Sequence, residues 1–195
     1  MTTAEAGVMQ VRILDAGAQL FVEQGYHGLS MREIAEAVGI SKAGLYYHFQ
    51  DKEQLFVAIL NRCMDQLEAA LITAPVAGPG VQAEVAAILE AIFAQPPHQR
   101  ALMRLASSEI GHLSSEVQAQ FGRRYYTQFI GRIEATLRGG VDRGELRALD
   151  PHLTTWILLG MAYPFFTPAA VRGTADSQLA IAANLRLFFE GALAD

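Results

Sequence analysis

Ser41–Lys42–Ala43–Gly44–Leu45–Tyr46–Tyr47–His48–Phe49 is where this chain concentrates its chemistry. A serine able to cap a helix is followed by a lysine, two tyrosines and a histidine, with no acid among them. From Ala37 to Gln50 no acidic residue occurs, although acids outnumber bases over the whole chain, 20 against 15. Leu45 and Phe49, four apart, share one side of a short helix, so Tyr46, Tyr47 and His48 point elsewhere. An acid-free face of rings and hydrogen-bonding groups suits a polyanion, and DNA is the first partner it suggests. Chemistry of other kinds finds no support. The five histidines, His27, His48, His98, His112 and His152, show no metal-ligand spacing. Cys63 has no histidine paired with it in sequence, and no catalytic serine pattern occurs. The expectation is no enzyme, no catalytic residue, no metal and no cofactor.

A helix must hold those side chains in place, and its neighbours are legible. Ile13, Leu14, Gly17, Ala18 and Phe21 form a helical stripe, and Gly25 ends that helix. Ser30–Met31–Arg32–Glu33 reads as a capping box. Ile34, Ala35 and Val38 supply the inward face of the second helix, which Gly39 closes. Ser41 caps the third. Asp51, with Gln54 three residues later, opens a fourth that runs through Leu55, Phe56, Ile59, Leu60, Met64 and Leu67 to about Ile72. Helix, Gly39–Ile40–Ser41 turn, helix is the layout of a helix-turn-helix, whose second helix enters the major groove.

These residues carry a resemblance. Ile13–Leu14–Asp15–Ala16, Phe21, Gly25–Tyr26, Ser30–Met31–Arg32–Glu33–Ile34–Ala35, Gly39–Ile40–Ser41, Leu45–Tyr46–Tyr47–His48–Phe49 and Asp51–Lys52–Glu53–Gln54–Leu55 together resemble the N-terminal domain of TetR/AcrR transcriptional regulators. The likeness spans about Val11 to Leu60; beyond it the chain resembles the family only in length and helical content. It implies an all-α homodimer of about nine helices per chain. A three-helix DNA-binding domain, residues 1–52, would precede a helical ligand-binding and dimerisation domain, residues 53–195. It implies a repressor released from a palindromic double-stranded DNA operator by a small-molecule effector. By position, Arg32 would read a base edge, and Ser41, Lys42, Ala43 and Gly44 would open the recognition helix. Tyr47 would lie against a thymine methyl, and Tyr46, His48 and Lys52 would hold phosphates. Gly44 departs from the usual Thr or Ser, and Gly17 from the usual alanine, which should soften the first helix.

Each residue has a plainer reading. Tyr46 can belong to a core cluster with Phe21 and Phe49, His48 can be a surface or capping histidine, and Arg32 can pair with Glu36. Between Tyr26 and Lys52 three bases offset three acids. Modest non-specific affinity and a shallow salt slope are therefore expected. Lys52 also sits in the first turn of its helix, where the dipole disfavours a cation and a shared anion would offset that cost.

The 195 residues suffice for one or two domains with a core, and 51% apolar residues exclude a disordered chain. A net charge of −5 opposes a broadly nucleic-acid-coated surface without forbidding a local patch. One cysteine and no signal-peptide pattern fit a cytoplasmic location. Leu153 to Val171 has no charge over 19 residues. Pro164, Pro168 and its threonines favour a buried or subunit-contact helix over a membrane span. Ala74–Pro75–Val76–Ala77–Gly78–Pro79–Gly80 is the clearest linker. Helices follow from about Val81 to Ala94, then through Met103 and Leu105 after Pro96–Pro97. A long one runs from about Ser115 to Arg138 or on to Arg143, weakened by Gly139–Gly140. Asp150–Pro151 opens the uncharged helix, and the last covers about Asp176 to Leu193.

The family likeness implies a ligand pocket among the middle helices. Candidate lining residues are Met103, Ser107, His112, Phe121, Tyr125, Phe129, Trp156, Leu159 and Tyr163; an ordinary helical core explains each as well. Trp156, Leu159, Gly160 and Tyr163, with Leu179, Ala182, Ala183, Arg186 and Phe189, are expected to pair across a two-fold axis. A DNA-binding regulator without a small-molecule inducer, answering to a protein partner or organising the chromosome, is the alternative function.

Overall fold

The structure, a computed structural model, describes residues 3–166 and 174–192. Its elements are helices: α1 Thr3–Gly28, α2 Met31–Val38, α3 Lys42–His48, α4 Lys52–Thr73, α5 Val81–Phe93, α6 Pro97–Glu109, α7 Ser115–Tyr125, α8 Gly131–Asp142, α9 Pro151–Ala162 and α10 Thr174–Ala192. A π turn, Tyr126–Ile130, joins α7 to α8. Residues 115–142 therefore form one interrupted rod, as the long-helix reading expected, and the chain is all-α. The uncharged helix and the last helix appear as α9 and α10; residues 167–171 and 193 of those readings lie outside the described residues. No helix among the described residues is long and apolar enough to cross a membrane.

The chain divides into two compact units, residues 1–65 with 101–121, and residues 66–100 with 122–195. The core of the first is built by the stripes read from sequence. Ile13, Phe21, Ile34, Leu45, Leu55 and Phe56 are completely shielded. Phe21 meets Phe56 edge-on with centroids 5.0 Å apart, a favourable aromatic geometry. Leu102, Ala106 and Leu113 complete this cluster, so the ends of α6 and the start of α7 belong to the same body as the helix-turn-helix. Gly17 has a packing role that its sequence position hid. A Cβ there would stand 3.0 Å from Ile59 Cδ1, so α1 approaches α4 more closely than alanine would allow.

In the second unit the same logic explains the Gly139–Gly140 pair. A Cβ on Gly140 would lie 2.7 Å from Val81 Cγ2 and 3.1 Å from Leu146 Cδ1. The helix tolerates the glycine because it lets α5 and α8 touch, and α8 runs on to Asp142. Asp150 caps α9 by accepting from Leu153 N at 2.9 Å, with Pro151 at the first position.

Glu134 of α8 is shielded, and two partly exposed side chains roof it over. The Tyr126 hydroxyl donates to Oε2 at 2.7 Å, and His152 Nδ1 stands 2.5 Å from Oε1. Trp156 Nε1 donates to His152 Nε2 at 3.3 Å, which makes that nitrogen an acceptor and places the imidazole proton on Nδ1. The hydrogen bonds from Tyr126 and then His152 hold the Glu134 carboxyl below its usual 4.5. Such a group stabilises the fold above its unfolded pKa and loses that contribution as pH falls through its folded value. Wild type should therefore unfold more easily as pH drops from about 6 to about 3.5, while E134Q shows a flatter acid limb. Thermal unfolding across that range reads the difference, and parallel acid limbs would remove the assignment.

Candidate nucleic-acid interface

α3 has seven residues and one fully buried side chain, Leu45. Its position comes from its ends. The preceding helix starts in a complete capping box, with Ser30 N donating to Glu33 Oε2 at 2.8 Å and Glu33 N donating to Ser30 Oγ at 3.3 Å. It stops at Gly39, whose φ of 75° and ψ of 34° place it in the left-handed region. Ile40 N then donates to Ala35 O at 3.0 Å, which turns the chain sharply into α3. Ser41 Oγ accepts from Gly44 N at 3.0 Å. A Cβ at residue 44 would lie 3.3 Å from that same oxygen, so glycine relieves a close approach within the cap. At the far end Phe49 is buried. Asp51 and Gln54 form the reciprocal cap, Gln54 N donating to Asp51 Oδ1 and Gln50 N to Gln54 Oε1, both at 2.7 Å. Arg12 of α1 adds a brace that no local pattern predicted, donating from Nη2 to Val38 O at 3.2 Å.

The result is an α3 whose outward side is open. Tyr47 is 77% exposed and Tyr46 42% exposed. That places Tyr46 outside the Phe21–Phe49 core. Lys42 Nζ stands 5.6 Å over the Tyr46 ring, and the Tyr47 and His48 rings meet edge-on with centroids 5.2 Å apart. His48 is half-buried, whereas Ser41, Lys42 and Ala43 are exposed. Arg32, also exposed, donates from Nε to Glu36 Oε1 at 2.7 Å. An exposed pair of this kind adds little to stability, so a stronger acceptor can compete for the guanidinium.

Lys52 is placed differently from the expectation. Its Nζ donates to Tyr26 O at 2.8 Å and Leu29 O at 2.9 Å, and lies 4.5 Å over the Tyr26 ring. α1 is kinked at Gly25, where φ is 75° and ψ 169°, and the ammonium binds the carbonyls that this break leaves open. Its unfavourable place in the first turn of α4 is thus offset inside the protein, and the dipole argument for an anion there loses its force. One of its three donors is still available. Nothing in the sequence around Lys52 advertises a contact 23 and 26 residues away.

The nine expected ligand-lining residues do not form one group. Met103, Ser107, His112 and Phe121 belong to the first unit, and Tyr125, Phe129, Trp156, Leu159 and Tyr163 to the second. Met103 and Phe121 pack against the helix-turn-helix core. Ser107 Oγ donates to Met103 O at 3.1 Å, and the His112 ring faces His27 at 5.7 Å. Phe129 is buried beside Tyr125, with centroids 5.3 Å apart, and burial pushes the Tyr125 phenol up to about 12. Leu159 is half-buried, while Trp156 and Tyr163 are each 46% exposed. Two open grooves of about 470 and 430 Å³ run instead between α5 and α10, past Ala86, Phe93, Leu185 and Phe189. Among the described residues no cluster of His, Cys, Asp or Glu is arranged to hold a metal ion.

Residues 13–59 match the profile of "Bacterial regulatory proteins, tetR family". The chain is 45% identical over 56 residues to the HTH-type transcriptional activator FasR of Mycolicibacterium smegmatis, a match covering 29% of this chain and 26% of FasR. The chain thus aligns with about a quarter of that relative's length. It is 26% identical over 147 residues to the HTH-type transcriptional repressor KstR2 of Rhodococcus jostii, covering 75% of this chain and 72% of KstR2. Among solved structures it is similar to AibR in complex with isovaleryl coenzyme A and operator DNA, with a TM-score of 0.79 and 26% identity over 93% of this chain and 98% of AibR. The helix-turn-helix described above is the portion these family members share most strongly with it.

The clamp on the Gly25 break can be tested apart from DNA. K52M keeps the aliphatic stem and removes both carbonyl contacts, and should cost about 1–3 kcal/mol in urea unfolding. A variant as stable as wild type would show that the clamp contributes nothing.

Proposed function

We propose that this chain is a DNA-binding transcriptional regulator of the TetR family, a homodimeric repressor released from a palindromic operator by a small molecule. The observation that carries it is the α3 face, where Tyr47 stands 77% exposed on a helix fixed by caps at both ends. A ring so exposed has no folding reason to be there, and an apolar contact with a thymine methyl gives it one. Arg32 would exchange Glu36 for a guanine edge. Ser41, Lys42, Ala43 and Gly44 would enter the groove, with Tyr46 and His48 on phosphates. Lys52, using its remaining donor, would add a phosphate contact to its structural one. The three-helix reader, residues 1–52, would thereby act as the DNA-binding domain.

The homodimer rests on a second surface. Leu153, Trp156 and Ile157 of α9 and Leu179 and Leu187 of α10 are exposed, and Gly160, Ala182 and Ala183 beside them are small and exposed. Leu153, Trp156, Ile157 and Gly160 recur at three and four residues, a stripe that faces outward. Apolar helix faces of this kind bury themselves against a copy, and small residues permit close approach. Phe189, which the sequence placed on this face, is buried in its own unit instead. Two reading heads about 34 Å apart would meet half-sites one turn apart. Release by a small molecule is supported by AibR, whose structure holds both isovaleryl coenzyme A and operator DNA. KstR2 favours repression, whereas FasR is named an activator. The nine middle-helix residues remain the candidate effector lining.

Gel-shift titration against DNA flanking the chain's own gene tests the reading, and no preference over random duplex would end it. Y47A should weaken operator binding by about 1–2 kcal/mol, roughly 5- to 30-fold, and leave non-specific binding unchanged. L179E should shift the protein to monomer in analytical ultracentrifugation and abolish binding to the paired half-sites; a dimer that persists would place the interface elsewhere.

A further inference from the structure

α6 carries a cation that the protein leaves uncompensated. Nε and Nη1 of Arg100 are shielded from solvent and, among the described residues, have no hydrogen-bond partner. A guanidinium cannot shed this cost by losing its proton, as a lysine or histidine would. Burying an unpaired charge is among the most expensive things a fold can do. The usual internal remedies are missing. No acidic residue lies in the first turn of α6. Arg100 N donates to Pro96 O at 3.2 Å, so the side chain leaves from that same turn, where the backbone dipole also disfavours positive charge. The neighbouring Gln99 amide nitrogen is committed to Gln66 Oε1 at 2.5 Å. Arg100 as a residue is only half-buried, so its head group can still be approached.

We propose that Arg100 anchors an oxyanion of the effector, a carboxylate or a phosphate group. This rests on the ligand-controlled reading above and specifies the charge of that ligand. A planar fork of N–H donors matches either oxyanion bidentately. The bound anion would supply the acceptors that the free protein lacks. The empty state therefore carries strain that the ligand relieves, which favours an anionic molecule over a neutral one of the same shape.

The test uses the full chain and needs neither the effector nor the operator. Thermal unfolding is measured for wild type, R100M and R100Q in chloride, acetate and phosphate at matched ionic strength. In chloride, R100M should melt higher than wild type by roughly 2–4 °C, because the stem is kept and the unpaired charge removed. Acetate or phosphate should raise the wild-type midpoint above its value in chloride and leave R100M and R100Q unmoved. A response to acetate alone identifies a carboxylate, and a response to phosphate alone a phosphate. Equal anion responses in wild type and variants overturn the proposal, as does no response in wild type. So does an R100M protein that melts below wild type in chloride, since the guanidinium would then have a partner. A protein that binds operator yet shows none of this sinks the anion site alone, and failure to bind operator sinks the regulator reading alone.

Discussion

A helix of seven residues does not hold its shape in water, because two turns of hydrogen bonds cannot offset the cost of starting them. α3 is such a helix, and every other feature of the reading head follows from the need to hold it without covering its outer face. Only Leu45 and Phe49 are spent on anchoring. The remaining order comes from the αL turn at Gly39, the Ser41 cap and the Asp51–Gln54 cap that restarts the chain. Caps are cheap in side chains, since each uses one polar residue at a boundary. That economy leaves Tyr46 and Tyr47 free to stand in solvent.

The caps are also what the sequence states most openly. Ser30 with Glu33, Ser41, Asp51 with Gln54, and Asp150 with Pro151 each act within four residues, so their spacing alone reveals them. The stripes of α1 and α4 are legible for the same reason. What sequence could not show is what happens across tens of residues. Lys52 reaches back to the carbonyls of Tyr26 and Leu29. Glu53 accepts from Ser114 N at 3.0 Å and from its hydroxyl at 2.6 Å, fixing the residue just before α7 to the first turn of α4. Gly17 and Gly140 read as helix weakeners, yet both are sites where two helices approach too closely for a methyl group. Phe189 follows its helical stripe outward on paper and points inward, because residues of α10 also have to cover α5 in a unit of its own.

The bond from Glu53 to Ser114 belongs to a larger pattern in the first unit. Leu102, Ala106 and Leu113 sit in the same core as Phe21 and Phe56. His27 Nε2, at the end of α1, stands 3.3 Å from Glu109 Oε2, at the end of α6. The reading head is therefore not finished at residue 52. A three-helix unit of this size buries too little surface to be secure alone. Here its core is completed by 101–121, a stretch far along the chain. Any change in that stretch is felt by the helix that α1 and α4 support, because packed cores transmit displacement and absorb little of it.

Charge supplies little of the recognition. The whole chain carries −5, and the reader's bases and acids cancel between Tyr26 and Lys52. Of its cations, Arg32 is engaged by Glu36 and Lys52 by two carbonyls, which leaves Lys42 as the one drawn only to a ring. A protein that binds DNA chiefly by counterion release needs many free bases and gains little selectivity from them. This surface reverses that balance. With a weak Coulombic term, non-specific duplex holds it poorly, and binding must come from directional contacts made by rings, hydroxyls and one exchangeable guanidinium. Two such surfaces acting together then matter more than either alone, because joining them multiplies weak, selective contacts without adding indiscriminate ones. The exposed stripe on α9 and α10 and the sparsely charged face of α3 are thus two halves of one design.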